Sequence, residues 1–206
     1  MPLVYQQNIN ESSILQVWHI VEEESFFSKV VTARYPISNS EKRLQHLAGC
    51  YLLNNLLPDL LLHEVKGAAN QKPFIASGKY QFSVSHSGNY VAAIADSVFP
   101  AGVDIERRSG KPFAIRTKYL SPEELQLQDK LLLTLEDFCT ISWTIKECVF
   151  KWYGRGEVDF KAHIQIKSIS VEAESFGAEV FFAKQEKTLL VSGFIFESYC
   201  LSYLIQ

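Results

Sequence analysis

Gly102-Val-Asp-Ile-Glu106, preceded by Ala101 and followed by Arg107-Arg108, is the stretch around which the chain is organised. Asp104 and Glu106 alternate with Val103 and Ile105, so in an extended strand both carboxylates lie on one face. At the strand rise their Cα atoms stand roughly 6.6 Å apart, near enough for two side chains to converge on one cation. The same alternation describes a half-buried strand with its acidic side in water, and the pentapeptide alone favours that plainer reading. The neighbours decide.

Upstream, Tyr80, Phe82, Val84 and His86 alternate with Gln81, Ser83 and Ser85, and Gly88-Asn89 marks a turn. Residues 90–95 make a small-residue strand, and Phe99-Pro100-Ala101 turns the chain into the acidic strand. Such short connections predict a three-stranded antiparallel meander, which would set His86 beside Asp104 and Glu106. Downstream, Ser121-Pro-Glu-Glu124 is a capping signature with proline at the first helical position. A long helix comes next over residues 136–153, with Ile141, Ile145, Cys148, Val149 and Trp152 as its core stripe. Trp143, Glu147 and Lys151, each four residues apart, line another face about 160° away. Gly154-Arg155-Gly156 ends the helix, and residues 163–206 alternate in several strand-like runs.

Farther out, Ile14, Leu15, Val17, Trp18 and Val21 read as a helix with Glu22-Glu23-Glu24 at its wet end, and Phe26 and Phe27 as residues that dock the next segment. Ser38-Asn-Ser-Glu41 reads as a capping box, before Leu44, Leu47, Ala48, Tyr51, Leu52 and Leu56 at helical spacing, with Pro58 as the stop. Lys42, Arg43 and His46 fall on the polar side of that helix and read as a solvated face. A loop from Gly67 to Gly78 contains Asn70-Gln-Lys72-Pro73. The plan is α+β in two halves, 1–101 and 102–206.

With 206 residues, 47% of them hydrophobic, the chain can fill a real core as one larger domain or two small ones. A net charge of −3 and a pI near 6.0 give no general attraction to nucleic acid or to anionic lipid. Cys50, Cys139, Cys148 and Cys200 lie too far apart for a zinc pattern. No apolar run is long enough to span a membrane and no charged-then-apolar leader opens the chain, so a reducing cytoplasm is the expectation.

Asp104, Glu106 and Glu147 form an oxygen-rich set that suits Mg²⁺, a hard ion that favours carboxylates, water and phosphate. Lys151, one helical turn beyond Glu147, would reach the same phosphate, and Lys72 and His86 add donors. Cations gathered around three carboxylates make poor core but good surroundings for a metal–pyrophosphate complex.

In order and spacing, Phe82-Ser-Val-Ser-His-Ser87, Gly102-Val-Asp-Ile-Glu106 and Trp143-Thr-Ile-Lys-Glu147 with Lys151 resemble the 4'-phosphopantetheinyl transferases. The likeness runs from about Arg43 to Gly156, and the length is similar to that of the two-half, surfactin-synthetase type. The resemblance implies two similar α+β subdomains, each a helix on a small antiparallel sheet, with the active site in the cleft between them, and a monomer. It implies transfer of phosphopantetheine from coenzyme A to a serine of an apo carrier protein, leaving adenosine 3',5'-bisphosphate. Carried over residue by residue, Asp104, Glu106 and Glu147 match the metal-binding acids and Lys151 the lysine that holds the coenzyme A phosphates. His86 matches the histidine of the Ser-His-Ser block, behind Ser85, and Lys72-Pro73 the Lys-Pro pair of the coenzyme loop. Gln71 stands where the family usually has glycine, a residue that tolerates positive φ as glutamine does not. Arg43 is the candidate for the 3'-phosphate, with Lys42 and His46 as alternatives. Glu147, directly or through a water, would take the serine proton.

Each part also has a plainer reading. Trp143 fits ordinary core, and Phe113, Tyr119 and Trp152 fit packing as well as carrier contact. Two rival functions use the same residues: a metal-dependent phosphohydrolase with water as nucleophile, and a non-catalytic coenzyme A or carrier-protein binder. The paired carboxylates could also suggest glycoside hydrolysis, but no sugar-stacking aromatics are arranged around them and two acids at i, i+2 on one strand sit poorly astride a glycosidic bond.

Overall fold

Local sequence sets each element, and pairing partners distant in sequence set the architecture. The structure is a computed structural model describing residues 2–57, 59–60, 62–67 and 72–206. The expectations placed on Pro58 as a helix stop and on Asn70 and Gln71 in the coenzyme loop lie outside the described residues. The chain divides into two compact units, one running to Val103 and including Ile205, the other comprising Asp104–Leu204 and Gln206.

The first unit opens with β1 (Leu3–Asn8) and β2 (Ser13–His19), an antiparallel pair with an irregularity between Leu3 and Tyr5. Here the helix expected over residues 14–21 is a strand. Leu15 and Val17 are wholly buried and Gln16 and Trp18 nearly so, which means both faces are covered. A strand buried on both faces yields an apolar run that periodicity cannot tell from a helix. After α1 (Glu24–Ser28) comes α2 (Ser40–Leu56), whose N-cap is Asn39 rather than Ser38. The Asn39 carboxamide oxygen accepts from the Lys42 amide at 2.9 Å. Phe26 and Phe27 both meet Tyr51 of α2, with ring centroids 5.5 and 5.6 Å away.

A two-residue pair, β3 (Val65–Lys66) and β4 (Phe74–Ile75), precedes β5 (Gln81–Ser87) and β6 (Tyr90–Asp96). The sheet order is β1-β2-β6-β5, and α2 packs on it. Small side chains permit the close approach. Ala93 and Ala95 lie under the helix, and a Cβ on Gly49 would sit 3.1 Å from Val84 Cγ1.

β7 (Ala101–Arg107) corrects the meander. It does not extend the β5–β6 hairpin, because β2 already occupies the other edge of β6; it joins a second sheet in the order β7-β11-β10-β9-β8. Between lie α3 (Gly110–Ala114), α4 (Arg116–Tyr119), α5 (Pro122–Leu125) and the long α6 (Leu135–Tyr153). The remaining strands are β8 (Ile164–Glu172), β9 (Ser175–Phe182), β10 (Lys187–Phe196) and β11 (Tyr199–Ile205), paired antiparallel in succession.

α6 is delimited by its caps. Thr134 accepts from the Asp137 amide at 3.1 Å, and Gly154 takes the left-handed conformation (φ 68°) that ends the helix. Its stripe of Ile141, Ile145, Cys148, Val149 and Trp152 is buried in one cluster with Ile164, Val180, Phe182, Leu189 and Cys200 of the sheet. A fully buried side chain of this kind contributes about 1.5–3 kcal/mol, so the stripe holds the helix down.

Gly193 in β10 is fixed by space rather than by turn geometry. A Cβ there would run into the Phe176 ring and the Leu201 carbonyl oxygen. The Phe176 ring is itself packed in the core, and the carbonyl belongs to the ladder. Gly193→Ala is therefore expected to lose about 3 kcal/mol in urea unfolding. A loss below about 1 kcal/mol would mean that the sheet yields there more readily than its register implies.

Candidate functional site

In the second unit the acidic strand and the long helix bring their charges together. Along β7, Val103 and Ile105 are buried on one face, which turns Asp104 and Glu106 to the other. Asp104 is only 5% exposed and Glu106 is half-buried. From α6, Lys151 reaches Asp104, with its Nζ donating to Oδ1 at 2.6 Å. Glu147 lies one turn earlier on the same side of the helix and is half-buried.

The electrostatics follow from this crowding. Burial, then the charge of Asp104, pushes the Glu147 carboxyl up to about 7; Lys151 pulls it down and Glu106 adds to the rise. Burial works against the Lys151 ammonium, but the charges of Asp104 and Glu147 outweigh it and strengthen its hold on the proton. Among the described residues, no three His, Cys, Asp or Glu side chains are drawn close enough to hold a metal ion. The donor set nevertheless fits a hard divalent cation. The charges of Asp104 and Glu106 both oppose ionisation of Glu147, and an added positive charge would relieve that repulsion.

The other sequence-derived residues lie in the first unit. His86 is exposed near the end of β5, opposite Val91, and Ser85 beside it is buried opposite Ala92. Because β7 leaves for the other sheet, there is no meander to set His86 beside Asp104 and Glu106. Lys72, just before Pro73, donates from Nζ to the carbonyl of Ala101, the residue that begins β7, at 3.1 Å. Arg43 is not on an open face. Its Nε lies 2.8 and 3.0 Å from the two Glu24 oxygens, and Nη1 donates to the Ile37 carbonyl at 2.9 Å. Lys42 is exposed, as expected of a solvated face.

His46, expected in water, is half-buried. Its Nε2 accepts from the Arg34 amide at 3.2 Å, and the Tyr35 ring lies against it at 4.7 Å between centroids. Burial first, then the charges of Arg34 and His86, lowers its pKa to about 4. Between about 4 and the ordinary 6.5 the unfolded chain binds the proton more tightly, so stability falls as pH drops through that window and levels off below it. Discounted for the solvent that reaches the ring, the loss is about 1–2 kcal/mol. Urea unfolding at several pH values checks this, and His46→Gln should flatten the slope across the window.

Sequence reasoning missed one pair altogether. Lys146 is fully buried, and its ammonium meets Glu124 at 2.6 Å, the Phe160 carbonyl at 2.8 Å and the Ile164 carbonyl at 2.7 Å. Glu124 closes the α5 capping box by accepting from the Ser121 amide at 2.8 Å, and it also accepts from the Ile166 amide at 2.8 Å. The available signal was Lys146's position on the wheel beside Ser142 and Val149, which turns it inward. Trp143 is packing, edge-on to Tyr119 at 4.9 Å and near Phe160.

Comparison with known proteins bears on this same unit. Residues 100–204 match the family model described as the 4'-phosphopantetheinyl transferase superfamily. No curated protein matches the chain. Because the matched span covers half the chain and runs through the acidic strand, the long helix and the sheet beneath it, the chain belongs to the 4'-phosphopantetheinyl transferase superfamily.

Proposed function

We propose that this chain transfers the 4'-phosphopantetheine group of coenzyme A to a serine hydroxyl of an apo carrier protein of fatty acid, polyketide or peptide synthesis. The observation that carries the reading is the Lys151–Asp104 contact beside Glu147, inside the span shared with the superfamily. The serine oxygen attacks the phosphorus that bears pantetheine. The pyrophosphate P–O bond breaks, and adenosine 3',5'-bisphosphate departs with the electron pair.

Asp104, Glu106 and Glu147 are the residues that would hold Mg²⁺. Bound there, the ion would supply neutralisation of the charge that builds on the leaving phosphate. Lys151 places a fixed positive charge at the same oxygens, and Glu147 takes the serine proton, directly or through a water. A carboxylate is a weak base, so most of the acceleration comes from positioning and electrostatics. Lys72, Pro73, Ser85, His86 and Arg43 are assigned to coenzyme A; for Arg43 this requires exchanging Glu24 for a phosphate. Carrier proteins are acidic helical domains, and exposed Arg107 with its neighbour Arg108 is the surface assigned to them. The full reading is that of the two-half type, with halves 1–101 and 102–206, working as a monomer in the cytoplasm.

The test is incubation with coenzyme A, Mg²⁺ and several apo carrier proteins, followed by intact-mass measurement. Addition of phosphopantetheine is expected on at least one carrier, and its absence from all of them, with folded protein and metal present, overturns the reading.

A further inference from the structure

Lys146 and Glu124 lie outside the acid–lysine cluster, yet Lys146 is the residue immediately before Glu147. Its ammonium has three acceptors, one each from α5, the turn before β8 and the first residue of β8: Glu124, Phe160 and Ile164. An ammonium has three protons, so this group is fully satisfied. Glu124 is equally committed, receiving the Ser121 and Ile166 amides besides the ammonium.

Stability alone does not account for such a pair. A buried ion pair is often replaceable by apolar side chains of similar volume at no net cost, because desolvation cancels the attraction. What it supplies instead is direction. The apolar stripe of α6 fixes the depth of the helix, but dispersion contacts tolerate small rotations about its axis. At a side-chain radius of about 6 Å, a rotation of about 15° carries a tip roughly 1.5 Å sideways. A misplacement of about 1 Å is enough to cost about 100-fold in rate. Glu147 and Lys151 share the helix and would move with it, while Asp104 stays on β7.

We infer that Lys146, held by Glu124, is a positioning residue that fixes the rotation of α6 and so sets Glu147 and Lys151 against Asp104. This rests on the proposed transferase reading, since it concerns the same acids. Two variants test it: the double variant Lys146→Met with Glu124→Gln, which removes both charges together, and Glu124→Gln alone, which keeps the ammonium and its two carbonyl partners. Each is assayed at a temperature where circular dichroism shows native structure, for transfer kinetics and for Mn²⁺ affinity by electron paramagnetic resonance.

The double variant should lose 10-fold or more in kcat with KM for the carrier within about twofold, and bind Mn²⁺ about 10-fold more weakly. Glu124→Gln should fall between it and the wild type on both measures. A merely structural pair would move the melting temperature and leave both measures within about twofold, which overturns the inference; if the double variant does not fold, Glu124→Gln alone decides by the same criterion. A wild type that neither modifies a carrier nor binds Mn²⁺ would sink the transferase reading itself, a failure distinct from active wild type with indifferent variants.

Discussion

Glu147→Gln is expected to lower kcat for phosphopantetheine transfer about 10²–10³-fold while leaving the protein folded. Glutamine keeps the length and shape of the side chain, so the packing of α6 is undisturbed. It removes a proton acceptor and one of three negative charges at the point where the leaving group is stabilised. Because burial and the charge of Asp104 already disfavour the ionised carboxylate, its neutral replacement should unfold at no lower urea concentration than the wild type. Stability kept and rate lost is the signature of a functional group. A kcat within threefold of wild type would remove Glu147 from the chemistry. Asp104→Ala provides the contrast, since it also frees the Lys151 ammonium from its 2.6 Å partner and should weaken coenzyme A retention as well as rate.

Glu124→Ala should be the most damaging single change to stability, at about 3–5 kcal/mol. The carboxylate receives the Ser121 amide, the Ile166 amide and the Lys146 ammonium, so truncation strands all three donors at once. Burial already lowers the Lys146 pKa, and Glu124 is the main influence opposing that. Without Glu124 the lysine must shed its proton or draw water into the core. For a chain of this length the melting temperature should fall by roughly 10–15 °C. A drop of only a degree or two would show that the two carbonyl partners suffice to hold the ammonium.

How much was readable from the sequence depended on the distance over which each signal acts. The long helix was legible within a residue at its start, because nineteen residues of one periodicity end in a left-handed glycine. The alternation in Gln81–Ser87 and Ala101–Arg107 announced strands, and i, i+2 and i, i+4 spacing grouped Asp104 with Glu106 and Glu147 with Lys151. Partner choice was not legible. Nothing near Val103 says that its strand belongs with residues of the far sequence rather than with the hairpin just before it. The hairpin turns were quiet as well, since Ala173, Glu186 and Glu197 take positive φ where glycine or asparagine would have been the signal. His46 and Lys146 were misjudged or overlooked for one reason. A polar residue on a helix is read as wet unless its partner is known, and those partners, Arg34 and Glu124, lie outside the helix concerned.

β7 stands at one end of its sheet, paired with β11, the last strand in the chain. The strand that carries Asp104 and Glu106 therefore emerges early during synthesis but has no ladder to join until Tyr199–Ile205 has been made. Contacts this distant in sequence are late and slow to form. Until they form, an apolar strand bearing two carboxylates has an unpaired edge, and those charges help to keep it from pairing with another chain. The acids assigned to chemistry would thus also guard the waiting strand against aggregation during folding.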